Sequence, residues 1–126
     1  MIQVEGIFAG GATKTYIEET YDSDGSLIDV KMHGYKNIRD AAFYGCTSLA
    51  LTSLPDGITS IGNNAFLVCT GLTSLTFMGT PSSIGSNTFA NCVNLTTINV
   101  PWAEGAVANA PWGALNATIN YNYTGG

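Results

Sequence analysis

Charge is what this chain most lacks. Of its 126 residues only four are Lys or Arg and nine are Asp or Glu, giving a net charge of −5. All four basic residues, Lys14, Lys31, Lys36 and Arg39, precede residue 41; beyond it Asp56 and Glu104 are the only charged side chains. Without a basic stripe to neutralise phosphates, nucleic acid is not an expected partner. No apolar run is long enough to span a bilayer, so membrane insertion is not expected. The start, Met1-Ile-Gln-Val-Glu-Gly6, has neither the basic nor the apolar region of a secretion signal. A surface of Ser, Thr and Asn suits an extracellular, cell-surface or virion setting, reached with no signal peptide visible in this chain.

Catalytic chemistry is equally short of material. His33 is the only histidine and no Gly-x-Ser-x-Gly elbow occurs, so neither a serine nor a cysteine triad is expected. Glu18 and Glu19 are sequence neighbours and would point apart on a strand, leaving no carboxylate pair. The chain is read as a non-enzyme. Asp22-Ser-Asp24-Gly25 matches part of a calcium loop, but that register puts Thr20 and Lys31 at the first and last ligand positions, and both fail. A hairpin turn is the reading. The three cysteines lack the close pairs of a zinc site, and small apolar core filler is their expected role. No metal and no cofactor is expected.

What is present is one phrase repeated three times, beginning at Ile38, Ile61 and Ile84, a constant step of 23. Phenylalanine recurs at 43, 66 and 89, cysteine at 46, 69 and 92, leucine at 49, 72 and 95, with no insertion. A fixed period of this length marks a solenoid whose units bury their apolar sides only against one another. Core slots fall three, six and eight positions after each cysteine: Leu49, Thr52 and Leu54; Leu72, Leu75 and Phe77; Leu95, Ile98 and Val100. The last two alternate like a strand with one buried face. Thr52 is the misfit. Asp40, Asn64 and Asn87 before each phenylalanine are placed to cap one helical turn. Leu54-Pro-Asp-Gly57 and Met78-Gly-Thr-Pro81 supply the bends.

Carrying the period forward puts Val107 in the isoleucine slot, Trp112 in the phenylalanine slot, Leu115 in the cysteine slot and Tyr121 and Tyr123 on the strand. Carrying it back makes Leu27, Val30 and Met32 a first strand. Five strands result, near 27–32, 49–54, 72–77, 95–100 and 118–123, spanning about 20 Å at ~4.8 Å per strand. One domain is expected: residues 1–26 as an N-terminal hairpin or cap, with turn signals at Ala9–Gly11 and Asp22–Gly25; residues 27–106 as repeats; residues 107–126 as a degenerate last repeat sealing the C-terminal end.

The phrase Ile-Gly-x-x-(Ala/Thr)-Phe-x-x-Cys-x-x-Leu resembles the BspA-like class of leucine-rich repeat. The slot that commonly holds Asn after the strand contains Gly57, Thr80 and Ala103, so the usual buried asparagine ladder is not expected. Val100-Pro-Trp102 through Ala110-Pro-Trp-Gly113 is similar to endings on such repeats in gut bacteria and their phages. The resemblance implies an α/β fold: a short right-handed solenoid with a parallel sheet on one side, helical or irregular turns on the other, and caps at both ends. It implies a non-catalytic recognition or adhesion module binding protein or glycan, the alternative being a structural virion component. The expected binding column is the outward residue of each strand, Ser53, Thr76, Asn99 and Asn122, with Lys31 at its head. Trp102 and Trp112 are weighed as a sugar-stacking platform against burial in a cap. Asn94, Asn116 and Asn122 begin glycosylation sequons.

Overall fold

A computed structural model describes residues 16–124. The chain enters as an antiparallel hairpin of β1 (Tyr16–Tyr21) and β2 (Leu27–His33). Asp22 closes it: its Oδ1 accepts from the Asp24 and Ser26 N–H groups, and Gly25 takes the left-handed φ of 84°. The expected hairpin turn is therefore present at Asp22–Gly25, while Ala9–Gly11 lies outside the described residues.

After the hairpin the chain coils, and each coil contributes to two parallel sheets. One is built from β3 (Asn37–Ile38), β5 (Ser60–Ile61) and β7 (Ser83–Ile84). The other runs β4 (Ser53–Leu54), β6 (Ser74–Phe77), β8 (Thr97–Asn99) and β9 (Thr118–Asn120). Both keep the register of the sequence period through the repeats, Ser53 opposite Thr76 and Thr76 opposite Asn99, Ile38 opposite Ile61 and Ile61 opposite Ile84. The main sheet thus has four strands, not five. The segment expected as its first strand is β2, which turns its ladder to β1 and reaches the first coil through the Ala50 N–H to the Ile28 carbonyl, 2.9 Å.

No helix forms among the described residues, which corrects the α/β expectation. The reason is in the backbone bonds of the phenylalanine turns. Ala42 and Cys46 donate three residues back, to Arg39 and Phe43, but Ala41, Phe43 and Gly45 donate across to Asn63, Ala65 and Leu67 of the next coil. Alternate N–H groups are thus committed to a neighbour, and the continuous i−4 pattern of an α-helix cannot form. The left-handed φ values at Ala41, Asn64, Val68 and Asn91 belong to this pattern. Nor does Asp40 cap a helix: its Oδ1 accepts the Asn63 N–H at 2.8 Å, and Asn63 Oδ1 accepts the Ser86 N–H at 3.2 Å. An Asx column joins the coils here, away from the slot of the usual ladder.

The same approach explains the glycine in Ile-Gly. A Cβ on Gly85 would meet the backbone of Asn63 at 2.7 Å, and one on Gly62 would strike Asp40. In the first coil, which has no described coil behind it, Arg39 fills this slot without conflict.

The core follows the repeat. Phe43, Phe66 and Phe89 stack with centroids 5.2 and 5.5 Å apart and planes 13° off parallel. Leu49, Leu72 and Leu95, and Leu54, Phe77 and Val100, form further buried columns. In the first repeat Thr52 is exposed and the neighbouring Leu51 is buried instead. The polar residue is turned outward, since an unpaired hydroxyl in the core is costly, while Ser53 and Leu54 keep the repeat register.

The last coil is shorter than the period. Ile98 pairs with Ile119 and Asn99 with Asn120, whereas Thr76 pairs with Asn99 at the full repeat spacing. Extrapolation by the full period therefore overshoots: Leu115 is 87% exposed, and Ala114 is buried beside it. Trp112 is fully buried, but it packs against Phe77 and Trp102 and does not extend the phenylalanine stack. Tyr121 and Tyr123 follow β9 and are only half-buried.

Candidate binding face of the parallel sheet

Leu75 and Phe77, and Ile98 and Val100, point into the core, so the residues between and before them face outward. Two columns result. Ser74, Thr97 and Thr118 stand opposite one another, and Ser53, Thr76, Asn99 and Asn120 form the second. Every member is an uncharged hydroxyl or amide. Three of the four expected site residues, Ser53, Thr76 and Asn99, share the second column. Asn122 does not. The short final coil puts Asn120 in its place, and Asn122 lies beyond the strand with a φ of 56° and its N–H bonded to the Trp102 carbonyl. Lys31 is in β2, opposite Glu18, outside this sheet.

The column is bonded along its length. Asn99 Nδ2 donates to Thr76 Oγ1 at 3.1 Å, and Asn120 Nδ2 donates to Asn99 Oδ1 at 2.8 Å. Asn99 is only 8% exposed, so its amide is committed to its neighbours. Ser53 and Ser74 are exposed, and neither side chain is held by a hydrogen bond to the described residues. They are the unbonded hydroxyls at the β4–β6 end of the face. Sequence reasoning missed the Ser74 column because it followed only the residue between the last two core positions.

The remaining candidates are placed clearly. Trp102 and Trp112 are both buried, and Trp112 Nε1 donates to the Ala108 carbonyl at 2.8 Å, so neither ring offers a stacking surface. His33 Nε2 pairs with Glu18 Oε2 across the hairpin at 2.6 Å. The sequon residues Asn94 and Asn116 each donate an amide to a carbonyl of the preceding coil, those of Thr70 and Val93. Cys69 and Cys92 are buried, and their Sγ atoms donate to the carbonyls of Phe43 and Phe66 at 3.0 and 2.9 Å. Burial pushes the Cys69 thiol up to about 12, with the neighbouring Cys92 adding to the shift, and raises Cys46 and Cys92 as well.

These regular coils, with Phe, Cys and Leu columns at one period, match the family model of the BspA type leucine rich repeat region in six copies across residues 17–108. The chain belongs to the BspA-type leucine-rich repeat family. Comparison with curated proteins and with solved structures returned no match. Membership points to a repeat module of the protein-binding or adhesion kind. Among the described residues no helix is long and apolar enough to cross a membrane.

Proposed function

We propose that this BspA-type chain is a non-catalytic recognition module that binds a protein or a glycan through the exposed face of its four-stranded sheet, displayed on a bacterial surface or a phage particle. One observation carries the reading: the face presents two aligned columns of hydroxyl and amide side chains without a single charge. Such groups pair with sugar hydroxyls or a peptide backbone, and they lack the cations that would favour phosphate. Exposed faces of solenoids are a common recognition surface. The setting rests on the resemblance of the repeats, and of the ending from Val100-Pro-Trp102 to Ile119-Asn-Tyr121, to proteins of such origin.

The test exchanges the free hydroxyls. Ser53→Arg with Ser74→Arg places two long charged side chains on the face without touching the Asn99–Thr76 bond. Binding to a glycan array and to immobilised extracellular-matrix proteins should disappear while the melting temperature holds. Undiminished binding by the folded variant would remove this face as the site.

A second reading, a structural component of a virion or larger assembly without a ligand, draws on the same column. Asn99 and Asn120 spend their amides on neighbours, as residues kept for coil-to-coil cohesion would. Wild-type protein that binds nothing on either array would favour it.

A further inference from the structure

Beyond the sheet face, we propose that the N-terminal end of the solenoid is an addition site for a peptide that follows the path of a coil and carries an aliphatic and an aromatic residue five positions apart, with acids beside and between them. The groove lies where the hairpin parts from the first coil, with a volume of about 660 Å³ and walls that include Ile17, Met32, Ile38 and Phe43. The repeat itself specifies the occupant. In the second and third coils an N–H reaches back to a carbonyl of the coil before: Thr59 to Lys36 and Ser82 to Thr59, Gly62 to Ile38 and Gly85 to Ile61. The equivalent donors of the first coil, on Lys36 and Arg39, have no backbone partner among the described residues. β3 is likewise the edge strand of its sheet. An added strand supplying carbonyls here would satisfy these donors as the coils satisfy one another.

Side chains set the preference. Among the described residues Phe43 stacks only on Phe66, so the phenylalanine column ends at this groove and has room for one more ring. The coil phrase separates the isoleucine of the strand from its phenylalanine by five positions, as Ile61 from Phe66. An occupant in register therefore brings an aliphatic residue over Ile38 and an aromatic one over Phe43. Charge selects acids around them. Lys36 and Arg39, half of the chain's basic residues, line this groove, and neither side chain forms an ion pair or hydrogen bond among the described residues. The adjacent carboxylate, Asp40, already accepts the Asn63 N–H. In a chain of net charge −5 this is a local positive site. Tyr35 lines the same groove, and its buried hydroxyl has no partner among the described residues.

The probe is a fluorescein-labelled peptide Asp-Ile-Gly-Asp-Asp-Ala-Phe, titrated into the full chain and followed by anisotropy. Saturable binding that weakens with salt is expected. Lys36→Glu with Arg39→Glu, both exposed and so neutral for folding, should weaken it by about tenfold or more, as loss of charge-assisted contacts does. A peptide with Ala for Phe, or with Lys for Asp, should bind more weakly by a similar factor. Absence of saturable binding, equal binding of the Lys peptide, or indifference to the double variant would overturn the proposal. So would a photo-crosslink from position 37 to residues 1–15 of the same chain that the peptide does not displace, or salt-sensitive association of the chain with itself through this end.

Discussion

Replacing Phe66 by alanine removes the middle ring of a three-ring column. Phe66 has no solvent exposure, and Phe43 and Phe89 cover its two faces at 5.2 and 5.5 Å. Truncating a buried phenylalanine costs ~3–5 kcal/mol, part of it for the cavity left behind. Each aromatic pair adds ~0.5–1.5 kcal/mol beyond area burial, and two pairs are lost at once. The walls cannot close on the void, since each neighbouring coil is held by its own backbone ladder, Phe43 to Ala65 and Phe66 to Thr88. The upper half of that range, ~4–5 kcal/mol, is therefore expected, against a total of ~5–15 kcal/mol for a domain. In urea, with m of about 2 kcal/mol/M, the midpoint should fall by roughly 2 M at constant m. Phe43→Ala, which breaks one stack instead of two, should cost distinctly less. A Phe66→Ala loss below ~1 kcal/mol, under the range for buried aromatics, or equal losses at both positions, would refute the account of the column.

Gly85→Ala should destabilise by ~1–3 kcal/mol or more, the scale of overpacking, because its Cβ would meet the backbone of Asn63 at 2.7 Å; Arg39→Gly, in the equivalent slot of the first coil, should change the melting temperature little. Cys46, half-buried, should react with a thiol reagent before the buried Cys69 and Cys92. Cys69 keeps its proton up to about 12 when folded but loses it from about 9 when unfolded, so the native state binds the extra proton between them. Its stabilising contribution should be complete below about pH 9 and decline toward pH 12, a decline that Cys69→Ala removes from the pH profile of urea stability. Deleting residues 101–126 uncovers Phe77, which Trp102 and Trp112 now shield, and leaves the β9-side edge of β8 unpaired, so aggregation is expected in light scattering. A monomeric truncated chain with an unchanged melt would remove the capping role of that segment.

The columns were legible because a solenoid repeats its physics with its sequence. Once Phe, Cys and Leu recur at one spacing, each must stack on its own kind, and the rings do so at Phe43, Phe66 and Phe89. The outward column of the sheet followed by the same logic for Ser53, Thr76 and Asn99. Legibility failed wherever the period stopped holding. The final coil pairs Asn99 with Asn120, short of the full period, so extrapolation put Leu115 in the core and Asn122 in the column, where the protein puts Ala114 and Asn120. At the other end, Leu27, Val30 and Met32 carry the spacing of a repeat strand, yet β2 pairs with β1. Alternation fixes which side chains are buried but not which edge donates the ladder.

The missing helix has a more general cause. A run such as Asp40-Ala-Ala-Phe43 has local helical character, and in isolation no competing partner for its N–H groups is visible. In the coil the partners are carbonyls of the next turn, Asn63 within 3.0 Å of the Ala41 N–H and Ala65 within 2.7 Å of the Phe43 N–H. Nothing local encodes that contact; only the glycine of Ile-Gly hints at how near the next coil runs. The same closeness decides what the ends of the stack can do. Between successive coils much of the backbone and the phenylalanine rings is committed to neighbours, while outward hydroxyls such as Ser53 and Ser74 face solvent. At Lys36, Arg39 and Phe43 no described coil lies behind, and donors, ring and positive charge stand together at one edge.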